Sequence, residues 1–219
     1  MRKRDSKRLV ERSYDLIAEG YLAAKESYDP DTYAPLEQVI TTLPRGAAVL
    51  HLGCGAGIPV AQRLAERFEV TGVDFSARQI ELARRHVPAG LFIRADMTSV
   101  DFAPGAFDAV VSCYAIIHVP RAEQHGLVQR IYSWLKPDGL FLATWAMHEW
   151  EETIEDWSGW GVPMWWSHFG ADGNLDMLRA AGFTVENVDT RTSNRETWLW
   201  VLACRPRHVP LPLPKRGTP

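Results

Sequence analysis

The sequence predicts an α/β fold, a mostly parallel sheet with helices on both faces and an antiparallel hairpin near the C-terminus. Three observations carry that prediction. The apolar run Ala47-Ala-Val-Leu50 leads through His51 and Leu52 into the turn Gly53-Cys-Gly-Ala-Gly57, and helical spacing of apolar residues follows from Val60 to Arg67. Two later apolar runs, Glu69 to Asp74 and Leu91 to Asp96, each end in aspartate after a helical stretch. Strands that alternate with helices in this way build βαβ units and hence a parallel sheet.

The chain of 219 residues suits one domain, residues 1–204, with a helical cap over 1–45 and a cover segment over 146–170. Residues 205–219 hold five prolines without periodicity and read as an extended tail. A formal charge of −3 gives no sign of nucleic-acid binding. Cys54, Cys113 and Cys204 are too scattered for a disulfide framework or a zinc pattern, so no metal is expected. Apolar runs stay short of membrane-spanning length, and Met1-Arg-Lys-Arg4 has no apolar stretch behind it, so a cytoplasmic protein with no membrane partner is expected. Six of the nine tryptophans fall between Trp145 and Trp166.

In order, Leu9, Tyr14, Ile17, Ala18, Tyr21 and Leu22 have helical spacing within residues 5–27, and a second helix is expected from Thr32 to Leu43. Pro59 opens the helix after the glycine turn, and Ser76 caps the one from Ala77 to His86. Phe107 to Tyr114 is the fourth strand, Ala122 to Leu135 a helix, Lys136-Pro-Asp-Gly139 a turn, and Leu140 to Trp145 the fifth strand. A helix closed by Gly182 and two strands, Phe183 to Val188 and Thr197 to Ala203, complete the fold.

A strand that turns through glycines into a helix lets backbone approach a ligand closely. The dinucleotide fingerprint G-x-G-x-x-G needs glycine at position 58, where this chain has Ile58. A nicotinamide oxidoreductase is therefore disfavoured. Asp74, 21 positions after Gly53, falls at the C-terminal edge of the neighbouring strand with Phe75 beside it. Its carboxylate can accept both hydroxyls of a ribose; a helix cap or a solvated loop aspartate is the plain alternative.

Gly53-x-Gly55-x-Gly57, the two strand-terminal aspartates, Phe107-Asp108 and Leu135-Lys-Pro-Asp-Gly139 occur in an order that resembles the class I S-adenosylmethionine-dependent methyltransferases. That resemblance implies a Rossmann-like seven-stranded sheet, S-adenosyl-L-methionine as cofactor and methyl transfer to a small molecule. It implies that Asp96 accepts from the adenine amine, that the Met97 backbone meets the ring, and that Tyr14 or Tyr21 reaches the methionine end. Cys113 and Tyr114, at the end of the fourth strand, would line the cleft between cofactor and acceptor. His51 departs from the pattern, because relatives carry an acidic residue there near the methionine ammonium.

The tryptophan-rich cover suggests an aromatic pocket for a planar aromatic or heterocyclic acceptor, walled by Trp145, Trp165 and Trp166, with its five carboxylates on a solvated helix face. A cage for an amine is the alternative. His168 is the first candidate base, His118 the second, and His148 lies in the cover. Oxygen is the favoured acceptor atom and nitrogen the next. A protein of this fold that binds a ligand or partner without transferring methyl is the other reading, and the chain is expected to be a monomer or a homodimer.

Overall fold

A computed structural model describes residues 3–25, 30–193 and 196–207. Nine strands and six α-helices alternate along them: α1 (Lys3–Lys25), α2 (Leu36–Thr42), β1 (Ala48–Leu52), α3 (Val60–Ala65), β2 (Glu69–Asp74), α4 (Ala77–His86), β3 (Leu91–Arg94), β4 (Phe107–Ser112), α5 (Arg121–Trp134), β5 (Leu135–Ala146), β6 (Trp150–Ile154), β7 (Met164–His168), α6 (Ala171–Ala180), β8 (Thr184–Ser193) and β9 (Glu196–Cys204). Seven strands form one sheet in the order β3-β2-β1-β4-β5-β9-β8, and only β9 runs against its neighbours.

Strand alternation sends side chains to two cores. Val49, Ala109, Val111, Leu140 and Leu142 pack with Leu36, Leu64 and Ile80 on the α2, α3 and α4 side. Leu50, Leu52, Val110, Phe141 and Trp145 pack with Leu127, Ile131, Trp134 and Met177 on the α5 and α6 side. The strand order reverses at β1 and β4, so their C-terminal ends diverge and open a crevice there.

The C-terminal hairpin lies at the sheet edge: β9, buried from Leu199 to Ala203, inserts antiparallel between β5 and β8, and polar β8 takes the exposed edge. Three expectations are corrected. Lys136 to Gly139 is not a separate turn but a bulge inside β5, with Asp138 at a φ of 65°. The cover is an antiparallel β6–β7 hairpin, so Glu149, Glu151, Glu152, Glu155 and Asp156 are exposed on a hairpin and not on a helix. The expected helix from Thr32 is split into a 3₁₀ turn, Pro30–Tyr33, and α2 after Pro35. Of the tail, Arg205 bonds to Gly139 and residues 208–219 lie outside the described residues. Among the described residues no helix is long and apolar enough to cross a membrane.

Candidate active site

The crevice at the β1–β4 switch point is roofed by α1 and encloses about 690 Å³, counting its open mouth. Its floor is the glycine turn. Gly53 has a φ of 67°, and a Cβ built on it would come within 2.2 Å of the Ala115 Cβ. Only glycine allows the β1 and β4 loops to approach so closely. The Gly53 and Cys54 N–H groups both donate to the Val73 carbonyl, tying the turn to β2.

Asp74 braces the same turn. One carboxylate oxygen accepts the Gly55 N–H and the other accepts the Ser76 N–H, each at 2.9 Å. Ser76 caps α4 by accepting from the Gln79 N–H, and its hydroxyl donates to Asp15 of α1 at 2.6 Å. Asp96 sits at the end of β3, where Thr98 donates to one oxygen from its backbone and its hydroxyl, and the Lys7 ammonium to the other at 2.8 Å. Burial pushes the Asp96 carboxyl up, but the hydrogen bonds from Lys7 and Thr98 outweigh it and hold the pKa below the ordinary value. Lys7 also pairs with Glu123 on α5, so α1 is fastened across the mouth of the crevice.

The opposite end is aromatic. His118, 7% exposed, follows β4. Its Nδ1 lies 2.8 Å from the Trp165 carbonyl, which can only accept, so Nδ1 carries the proton. The Nε2 lone pair is left to accept from the Tyr14 hydroxyl at 3.1 Å. Burial lowers the His118 pKa to about 4, with the Trp165 bond opposing and nearby His168 assisting, so the ring is neutral at pH 7. Tyr14 packs edge to face on Tyr21 and on Trp157, and Tyr21 lies tilted on Trp157, with ring centroids 5.5 to 5.9 Å apart.

The cavity lining therefore brings together Tyr14, Tyr21, Gly53, Gly55, Asp74, Phe75, Asp96, Met97, Cys113, Tyr114 and His118 from the sequence reading. Six other residues named there stand elsewhere. Gly57 packs against Ala83 and Val87 of α4, with a φ of 84°. His51 is buried on β1, on the side opposite Leu50 and Leu52. Trp145 faces the α5–α6 core because strand alternation gives the cover side to Ala146. Trp165 and Trp166 bury themselves against Val10, Ile117 and Met164, fastening the hairpin to α1. His168 lies three residues beyond Trp165 along β7, about 10 Å by strand rise, and its Nδ1 bonds to the His148 carbonyl at 2.8 Å. Burial lowers its pKa as well, but it does not line the cavity.

Sequence reading missed Lys7, Gln79, Ala95, Ala115 and Val119, which also line the cavity, and Trp157, which packs against Tyr14 and Tyr21. Lys7, Tyr14 and Tyr21 are spaced by seven, two turns of one helix face, and that spacing is a signal for Lys7.

A family model described as a methyltransferase domain matches residues 49–139, from β1 through the glycine turn and both aspartates to the β5 bulge. Over that segment the chain is similar to the S-adenosylmethionine-dependent methyltransferases. The chain is 32% identical over 121 residues to the putative methyltransferase YqeM of Bacillus subtilis, covering 51% of this chain and 49% of that protein. It is 34% identical over 148 residues to the ubiquinone biosynthesis O-methyltransferase of Methylocella silvestris, covering 58% and 56%. The chain thus spans about half the length of these curated relatives. In fold it is similar to the 1,6-didemethyltoxoflavin-N1-methyltransferase of Burkholderia thailandensis, solved with its substrate and S-adenosylhomocysteine. That match has a TM-score of 0.73 and 18% identity, and covers 94% of this chain and 91% of the other.

Proposed function

We propose that this chain transfers the methyl group of S-adenosylmethionine to a small planar acceptor, with a hydroxyl oxygen favoured and a ring nitrogen next. One observation carries the reading: a single cavity with two braced carboxylates at one end and the neutral Tyr14–His118 pair at the other.

The donor set fits an adenosyl group. Each Asp74 oxygen accepts one backbone N–H, which holds the carboxylate at the cavity wall where a ribose hydroxyl would meet it. Asp96 accepts three donors, which leaves one of its roughly four acceptor positions for the adenine amine. Phe75 and Met97 offer apolar surface to the base. When bound, the cofactor supplies an activated sulfonium methyl, whose transfer asks mainly for in-line placement.

Acceptor chemistry falls to the aromatic end. Tyr14 donates to Nε2 of His118, and the Trp165 carbonyl fixes the tautomer, so the pair can relay a proton from the Tyr14 oxygen to Nε2. With a pKa of about 4, His118 is a weak base before transfer. A methylated oxygen that still carries its proton is a strong acid, and a weak base suffices to take that proton. A methylated aliphatic amine would keep its proton against such a base, which argues for oxygen. The name of the Methylocella relative suits an oxygen acceptor and that of the Burkholderia protein a ring nitrogen.

The test is release of S-adenosylhomocysteine from S-adenosylmethionine over a panel of phenols, N-heterocycles and aliphatic amines. Turnover on phenols or N-heterocycles is expected. Cofactor binding with no release over the whole panel would replace transfer by ligand binding alone.

A further inference from the structure

One buried amide joins the turn that carries His118 to the strand that fixes its tautomer. Gln124 lies in the first turn of α5 and is 0% exposed. Its Nε2 stands 3.2 Å from the Ile116 carbonyl, 2.8 Å from the Val119 carbonyl and 2.7 Å from the Ser167 carbonyl. The first two belong to the 3₁₀ turn Ile116–His118 and its C-terminal cap, and the third to β7. An amide nitrogen has only two protons to donate, so the three acceptors share them.

Strand geometry makes this joint specific. β7 lies in a two-stranded sheet with β6, and carbonyls two residues apart on a strand point to the same edge. Trp165 and Ser167 therefore present neighbouring carbonyls on one edge. His118 Nδ1 donates to the first and Gln124 Nε2 to the second. A further bond of the joint, from the Arg121 N–H to the Ser167 hydroxyl at 3.0 Å, ties α5 to β7 without touching the turn. The titratable groups that face His118 are Tyr14 of α1, at Nε2, and His168 of β7, through charge. Gln124 carries no charge, so its effect on the imidazole passes through position and water access.

We infer that Gln124 is a positioning residue for His118, holding the imidazole turn and β7 in the register that leaves Nε2, and not Nδ1, facing Tyr14. The inference rests on the reading of His118 as the base and extends it to a residue outside the cavity lining. It also ties the base to the cover, because lifting β7 from α5 would release the hydrogen bond that selects the tautomer.

NMR titration of the histidine rings tests this on the protein and its variants. Gln124→Met is close in volume and removes the donors, so three buried carbonyls lose their partner and the joint should open to water. Burial outweighs the Trp165 bond in setting the His118 pKa, so its midpoint should rise from about 4 toward 6.5. The same spectra should show the Nδ1–H tautomer in the parent and a mixture in the variant. Ser167→Ala loses the Arg121 bond but keeps the Gln124 contact, so it should weaken the joint and leave the His118 midpoint in place. Gln124→Asn, an amide one methylene shorter, should fall between the parent and Gln124→Met, and it carries the test where Gln124→Met does not fold. Turnover of a panel compound that the parent methylates should drop roughly 10- to 100-fold in Gln124→Met, with S-adenosylhomocysteine affinity near that of the parent. An unmoved midpoint and tautomer in the Gln124 variants, or an equal shift in Ser167→Ala, would overturn the inference. A parent that methylates nothing on the panel would instead overturn the function proposed above and leave the titration of Gln124→Met to be judged by itself.

Discussion

Acidification tests the surroundings assigned to His118. In the folded chain burial lowers its pKa from 6.5 to about 4. Between those values the unfolded chain takes up a proton that the folded chain refuses. Stability therefore rises with pH across that window, is fully present above 6.5, and is lost on acidification until His118 itself protonates near 4. At about 1.4 kcal/mol per decade, the interval corresponds to about 3 kcal/mol. His168 is shifted in the same direction and adds to the loss, so the His118 share is isolated by comparison with His118→Gln. Glutamine can still donate to the Trp165 carbonyl and accept from Tyr14, but it does not titrate. Urea unfolding of both proteins at intervals from pH 7 to 4 should show the parent losing about 3 kcal/mol more than the variant. Parallel stability curves would refute the buried, neutral imidazole, and with it the hydrogen-bond pattern that points Nε2 at Tyr14.

Three further predictions concern the cavity and its surround. Asp74→Asn removes a charge-assisted acceptor and turns an amide N–H₂ towards a backbone N–H; affinity for S-adenosylhomocysteine should fall roughly 10- to 100-fold by calorimetry, with some loss of melting temperature. Gly53→Ala puts a Cβ 2.2 Å from Ala115 at a left-handed φ, and should cost about 2–4 kcal/mol in urea unfolding together with ligand binding. Trp166→Ala should destabilise by about 3–5 kcal/mol because the ring is buried against His118 and Trp157, while cofactor affinity stays near that of the parent.

What could be read from the chain was local. Gly53, Gly55, Asp74 and Asp96 are legible because a strand end, a turn and a helix start follow each other within a few residues, and the parallel sheet then sets them side by side. Lys7 is legible only through its seven-residue spacing from Tyr14, whereas Trp157 reaches the aromatic surround through contacts between distant segments, which no local spacing encodes. The Trp145 error has a one-residue cause: in a strand, a neighbouring position faces the other core. Trp165 and Trp166 misled differently, since large aromatic rings serve to fasten a cover as well as to wall a pocket. The carboxylates of β6 suggested a helix by composition, although Thr153, Ile154 and the Ser158-Gly-Trp-Gly161 turn are hairpin signals. His168 stands beside the expected pocket in the sequence, just before a helix start, but the β7 register carries it past the crevice.

Titration of the protein with S-adenosylhomocysteine, beside an identical titration with NAD, tests the adenosyl site most directly. Saturable heat at one site per chain with the first ligand, and none with the second, is the predicted result. No heat with S-adenosylhomocysteine, or binding of NAD in its place, would mean that the glycine turn and the two aspartates do not hold an adenosyl thioether.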